Sequence, residues 1–108
     1  MKVKRPPFSL DTSEPGVFRL MGELSVYGIS DLWPVFHEHL PTEGRWVIDC
    51  RAVTLIDTAG ISVLISALRY AHQQHLQFTI QGLPEEARTL MQVHGVLSLF
   101  DQNMFRSN

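Results

Sequence analysis

The sequence predicts an α/β fold in which a mixed, mostly parallel β-sheet of about five strands carries helices packed on it. Two observations lead to this prediction. Segments with strand patterns alternate with segments with helix patterns in the order β-β-α-β-α-β-α-β, which is typical of parallel strands joined by right-handed crossovers. The length of 108 residues, 44% of them hydrophobic, fits one domain with one core. We therefore expect residues 1–108 to form a single domain.

The chain begins with a predicted β-hairpin. Phe8–Leu10 is a short strand candidate, and Val17–Met21 is a second one. The residues between them include a Ser-Glu-Pro-Gly run, which is typical of a turn. Gly22 is expected to end the second strand.

A short helix is predicted next, with Ser30 as its N-cap and Asp31 in its first turn. Pro34 is early enough in this helix to be tolerated. Pro41 and Gly44 are expected to close it. Its apolar stripe consists of Leu32, Trp33, Val35, Phe36 and Leu40.

In the middle of the chain, the sequence predicts a strand, then a second short apolar run, and then the helix with the clearest apolar periodicity. The strand is Trp46–Cys50, and Val53, Leu55 and Ile56 form the run. From Gly60 to about residue 75, apolar residues recur at the three- and four-residue spacing of one helix face. Those residues are Ile61, Leu64, Ile65, Leu68 and Ala71.

The last third predicts a strand, a helix and a final strand. Leu76–Ile80 alternates as a strand, and a helix follows with Pro84 near its first position. Gly95 is expected to stop that helix. Val96–Phe100 is then predicted as the last strand, and the polar residues 101–108 as a frayed end.

Composition argues against several classes of function. The net charge of −2 does not indicate the basic surface that is typical of nucleic-acid binding. No apolar run approaches the ~20 residues that a membrane-spanning helix needs, so we expect no direct membrane insertion. No apolar stretch typical of a secretory signal follows the first residues. The single Cys50 cannot form an internal disulfide, and a cytoplasmic location fits.

The sequence also offers little for catalysis or metal binding. None of the five histidines has the spacing of a metal pair with a third ligand. His72 and His75 are better placed to complement a helix C-terminus. Asp49 and Asp57 are interpreted as residues that cap or orient turns, because no nucleophile–base pair accompanies them. We expect neither enzymatic activity nor a cofactor.

The most informative feature is the Asp57-Thr58 pair at the start of the long helix. A helix start exposes unpaired N–H groups and a partial positive charge. In the simpler interpretation, Asp57 or Thr58 is only an N-cap. In the other, a phosphate on the hydroxyl would lie where negative charge is favoured.

Together these residues resemble the STAS domain, the fold of bacterial anti-sigma factor antagonists and related regulators. The resemblance covers about residues 8–101. It rests on Gly22-Glu23-Leu24, on Ile48-Asp49, on Asp57-Thr58-Ala59-Gly60 before an apolar helix, and on Arg88 to Phe100. In that family the hydroxyl residue after the Asp is phosphorylated by a partner kinase, and the domain acts by binding or releasing a protein. The resemblance implies that Thr58 is the phosphorylated residue here.

Two sub-families remain open. One contains MlaB-like proteins, which are cytoplasmic subunits docked on the ATPase of a phospholipid ABC transporter and so lie peripheral to the inner membrane. The other contains partner-switching antagonists that bind an anti-sigma factor serine/threonine kinase. Leu32-Trp33, Thr58-Ala59 and Thr79–Gly82 look more like the first. In both, the start of the long helix is the expected partner-binding surface. Its residues are Asp57, Thr58, Ala59, Gly60, Ile61 and Ser62.

Overall fold

The computed structural model describes residues 8–26 and 29–107. The described residues form five strands, three α-helices and two short 3₁₀ turns. The strands are β1 (Phe8–Asp11), β2 (Val17–Leu24), β3 (Arg45–Ile56), β4 (Gln77–Gln81) and β5 (Phe105–Arg106). The helices are α1 (Ile29–Glu38), α2 (Thr58–Gln73) and α3 (Glu85–Val93), and the 3₁₀ turns are Leu97–Leu99 and Gln102–Met104.

The sheet has the order β1-β2-β3-β4-β5, which confirms the predicted fold class. The first pair is antiparallel, as expected for a hairpin, and the other three pairs are parallel. Because successive parallel strands are spatial neighbours and crossovers are right-handed, the three helices pack on the same face of the sheet. One core cluster joins β2, β3 and β4 to α1, α2 and α3 on that face.

Trp46 lies at the centre of this core and is 0% exposed. Its ring meets those of Phe18, Phe36 and Phe78 at centroid distances of 5.2, 5.6 and 5.5 Å. It also contacts Tyr70 of α2, whose hydroxyl donates to the carbonyl of Pro41. The aromatic cluster thus fastens α1 and α2 to the sheet.

The prediction that Val96–Phe100 forms the last strand is wrong. Residues 97–99 form a 3₁₀ turn instead, with Leu97 half-buried and Phe100 buried. Burial at positions three apart matches the 3₁₀ period, whereas a strand would bury alternate residues. The fifth strand is Phe105–Arg106, inside the segment expected to fray, where Phe105 pairs with Ile80.

Two strands are longer than predicted. β2 continues through Gly22 to Leu24, with Gly22 at a φ of 92°. β3 is continuous from Arg45 to Ile56 and accommodates two shifts of register against β2. These irregularities explain why the sequence of β3 looked like two separate apolar runs, because each shift interrupts the alternation of faces.

The helix predictions are mostly confirmed. α1 contains Pro34, and its start at Ile29 precedes Ser30. The side chains of Ser30 and Asp31 lie outside the described residues, so the predicted cap of α1 stays a prediction. At the end of α3, Val93 is 74% exposed.

Candidate functional site

The start of α2 is held by the Asp57 carboxylate. Asp57 has an extended backbone and is the N-cap, so of the two residues that the sequence left open for this role the structure selects Asp57. Its Oδ1 accepts a hydrogen bond from the Gly60 N–H at 3.0 Å, and its Oδ2 accepts one from the Val26 N–H at 3.1 Å. One side chain therefore fixes both the first turn of α2 and the segment that follows β2.

Gly60 allows α2 to begin directly against the end of β2. A Cβ at this position would lie 2.2 Å from the Leu24 carbonyl oxygen and 2.9 Å from Cγ2 of Ile56. Real Cβ atoms do not approach a backbone atom so closely, so any side chain would displace the helix start. The spacing Asp-x-x-Gly thus combines a cap with a close backbone approach.

Thr58 and Ser62 are exposed on the first turns of α2. The hydroxyl of Ser62 donates to the Thr58 carbonyl at 3.1 Å, whereas the Thr58 hydroxyl makes no hydrogen bond to any residue that the structure describes. Ala59 is half-buried, and Gly60 is buried. Ile61 is only 4% exposed, so its side chain belongs to the core and does not extend the surface as expected.

Two exposed apolar side chains belong to the segments that lead to the start of α2. Val26, whose amide is bound by Asp57, is 62% exposed, and Leu55 near the end of β3 is 50% exposed. We call the four exposed residues Val26, Leu55, Thr58 and Ser62 the α2 surface. Sequence reasoning missed Val26 and Leu55, because an apolar residue near the end of a strand is expected to face the core.

Asp49 does not orient the turn before α2, contrary to the sequence interpretation. It lies in the middle of β3, 4% exposed, and accepts hydrogen bonds from Nε and Nη2 of Arg51 at 3.0 and 2.8 Å. Arg19 approaches the same carboxylate at 3.7 Å. The side-chain hydrogen bonds from Arg51 lower the pKa of Asp49 below its ordinary value. Asp49 therefore holds the side chains of Arg19 and Arg51 against the sheet.

Trp33 is half-buried on α1, where it stacks on Phe36 at 5.7 Å and meets the edge of His37 at 4.8 Å. Among the described residues, no group of three or more His, Cys, Asp or Glu side chains could hold a metal ion. Within the same residues, no helix has the length and hydropathy to cross a membrane.

Cys50 is expected to be unreactive in the folded protein. It is 0% exposed, and burial raises the pKa of its thiol to about 12. Because the thiolate is the nucleophile, iodoacetamide at pH 8 should leave the native protein unlabelled. The same reagent should label the protein fully in concentrated urea, as mass spectrometry can show. Rapid labelling of the native protein would contradict the buried position of Cys50.

Comparison with known proteins identifies a family. A family model described as "Mlab, STAS domain" matches residues 10–100. No curated protein matches the chain.

Solved structures show the same fold. The chain is similar to a sulfate transporter family protein from Wolinella succinogenes, with a TM-score of 0.65 and 16% identity over 83% of this chain and 74% of that chain. It is also similar to the anti-sigma factor antagonist SpoIIAA in its unphosphorylated form, with a TM-score of 0.63 and 14% identity over 94% of this chain and 87% of that chain. At such low identity, these likenesses concern the fold alone.

Proposed function

We propose that this chain, which belongs to the STAS domain family, is a non-enzymatic adaptor that binds a protein partner through the α2 surface. The partner that we propose is the ATPase subunit of a phospholipid ABC transporter, at the cytoplasmic side of the membrane. The observation that carries the proposal is the exposed Thr58 on a helix start that Asp57 fixes, with exposed apolar residues on the two segments that lead to it.

The composition of the α2 surface suits protein binding. Val26 and Leu55 supply apolar area that loses water on association. The hydroxyls of Thr58 and Ser62 supply hydrogen-bonding groups, and the rigid turn lowers the entropy lost when the surface is ordered. The match to the Mlab-type family model favours a transporter ATPase over other partners.

A second candidate is an anti-sigma factor antagonist whose binding is switched off by phosphorylation of Thr58. The exposed hydroxyl favours it, because a kinase could reach this side chain without unfolding the helix. A phosphate there would add a charge of about −1.5 to −2 beside Val26 and Leu55. This charge would oppose burial of the apolar side chains against a kinase.

The test is affinity capture from native cell lysate with four forms of the chain: wild type, Thr58→Ala, Thr58→Glu and Thr89→Glu. Thr89 is also an exposed helical threonine, but it lies on α3, so it controls for added charge. We expect wild type and Thr89→Glu to retain an ABC ATPase with its permease. Thr58→Glu should lose both, because burial of an unpaired charge costs about 3–5 kcal/mol.

Thr58→Ala separates the two candidates. An adaptor should lose about 1–3 kcal/mol of binding free energy, because a partner group loses its hydrogen bond. An antagonist should instead bind a serine/threonine kinase permanently, and wild-type protein should carry phosphate on Thr58. Equal capture of the same partner by wild type and Thr58→Glu would contradict binding through the α2 surface.

A further inference from the structure

A cleft lies beyond the carboxyl end of β4 and shares no lining residue with the α2 surface. β4 ends at Gln81, whereas β3 continues past its last pair with β4 to Ile56. The overhanging part of β3, the start of α3 and strand β5 enclose a cleft of about 630 Å³. A volume between about 300 and 1,000 Å³ is usual for a small-molecule site.

Three arginines from three different elements line this cleft: Arg51 of β3, Arg88 of α3 and Arg106 of β5. Glu85 is the single carboxylate among the described lining residues. Apolar area is supplied by Leu83 and Phe105. Because Asp49 pairs with Arg51 at 2.8 Å, the positive charge in the cleft that has no carboxylate partner among the described residues comes from Arg88 and Arg106.

Two of the guanidinium groups are held in place by their neighbours. Nη2 of Arg88 donates to Oε1 of Gln102 at 2.9 Å, and its guanidinium lies 4.6 Å from the centre of the Phe105 ring. Neither contact neutralises the charge of Arg88. Arg51 is fixed by its paired bonds to Asp49, which lies beneath it in β3. Such fixed groups lose little side-chain entropy when they bind a ligand.

Arg106 is the third arginine that lines the cleft. Its side chain is exposed, and no carboxylate in the described part of the chain forms an ion pair with it. Its backbone carbonyl accepts a hydrogen bond from the Gly82 N–H at 2.8 Å, which fixes β5 against the loop before α3. That helix begins after Pro84 with no side-chain cap, and Glu85 and Glu86 in its first turn offset the partial positive charge of its N-terminus.

We propose that this arginine cleft binds a small molecule that carries a phosphate monoester. A dianionic, tetrahedral phosphate has enough oxygens to accept charge-assisted hydrogen bonds from Arg88 and Arg106. Arg51 could add only its remaining N–H groups, because its Nε and Nη2 already donate to Asp49. The volume exceeds that of a phosphate group alone, so Leu83 and Phe105 would contact the organic part of the ligand. The phosphate could belong to a soluble ester or to a lipid headgroup, and both share this chemistry.

The test is an NMR titration of the ¹⁵N-labelled full chain with inorganic phosphate and with glycerol 3-phosphate, at constant ionic strength set by chloride. We expect saturable shifts at Arg51, Gly82, Arg88 and Arg106, with tighter binding of the ester. Arg106→Gln and Arg88→Gln should each weaken binding about tenfold, the loss of one charge-assisted hydrogen bond. Arg106→Gln is the cleaner variant, because Arg88 also packs on Phe105.

Arg69→Gln is the matched control, since Arg69 is an exposed arginine on α2 and does not line the cleft. It should leave both affinities unchanged. Absence of saturable shifts, or an equal loss of affinity in Arg69→Gln and Arg106→Gln, would overturn the proposal.

Sedimentation with phosphatidylcholine vesicles that contain phosphatidic acid distinguishes a lipid headgroup from a soluble ester as the source of the phosphate. Vesicle binding that Arg106→Gln abolishes assigns the lipid headgroup, and ester binding without vesicle binding assigns the soluble ester.

Discussion

Gly60→Ala is expected to lower the free energy of unfolding by about 3 kcal/mol or more, at the upper end of what overpacking usually costs. The added Cβ would lie 2.2 Å from the Leu24 carbonyl oxygen, and that oxygen belongs to the backbone at the end of β2. Because no flexible side chain can move aside, the start of α2 must shift away from the sheet. The shift would also stretch the hydrogen bonds that Asp57 makes to Gly60 and Val26.

Urea denaturation measures this effect as a lower midpoint with an unchanged slope. Gly95→Ala is the matched control, because a Cβ at this glycine would meet open space. Gly95 has a φ of +71°, and no atom lies within 4 Å of the position that a Cβ would occupy there. Alanine at this position therefore meets only the unfavourable left-handed conformation, at about 1 kcal/mol. If Gly60→Ala lost no more stability than Gly95→Ala, the close approach of α2 to β2 would be wrong.

The parts of the fold and site that could be predicted depend on neighbours in sequence. The apolar spacing of α2 and the cap at Asp57 follow from residues within one or two helix turns. The hairpin follows from a Pro-Gly turn between two short apolar segments. Such local patterns predict which residues face the core. The structure agrees for the apolar face of α2 and for that of α1 except Val35, which is 40% exposed.

The parts that could not be predicted depend on contacts between distant segments. The hydrogen bond between Val26 and Asp57 joins residues 31 positions apart, and the local sequence around neither residue predicts it. β5 has only two residues, and pairing with β4 is what makes it a strand. The arginine cleft has the same origin, because Arg51, Arg88 and Arg106 are brought together only by the order of the strands.

Asp57→Ala should show how much of the site depends on such a distant contact. The substitution leaves the amides of Gly60 and Val26 without their acceptor. Loss of an N-cap costs about 1 kcal/mol, and loss of the second bond adds about 1 kcal/mol. We therefore expect the free energy of unfolding to fall by about 2 kcal/mol. Hydrogen exchange should report faster exchange at both amides, and partner capture should weaken more than in Thr58→Ala.

Asp101→Ala is the matched control for this prediction, because Asp101 caps the 3₁₀ turn Gln102–Met104 with one local bond to the Asn103 N–H at 2.8 Å. It removes a cap without breaking a distant contact, so its effect should stay near the roughly 1 kcal/mol of a single cap. Should Asp57→Ala match Asp101→Ala in stability and still capture the partner, the bond to Val26 would contribute nothing. The close packing of Gly60 would then be sufficient to position Thr58, and the position of Asp57 would reflect helix capping alone.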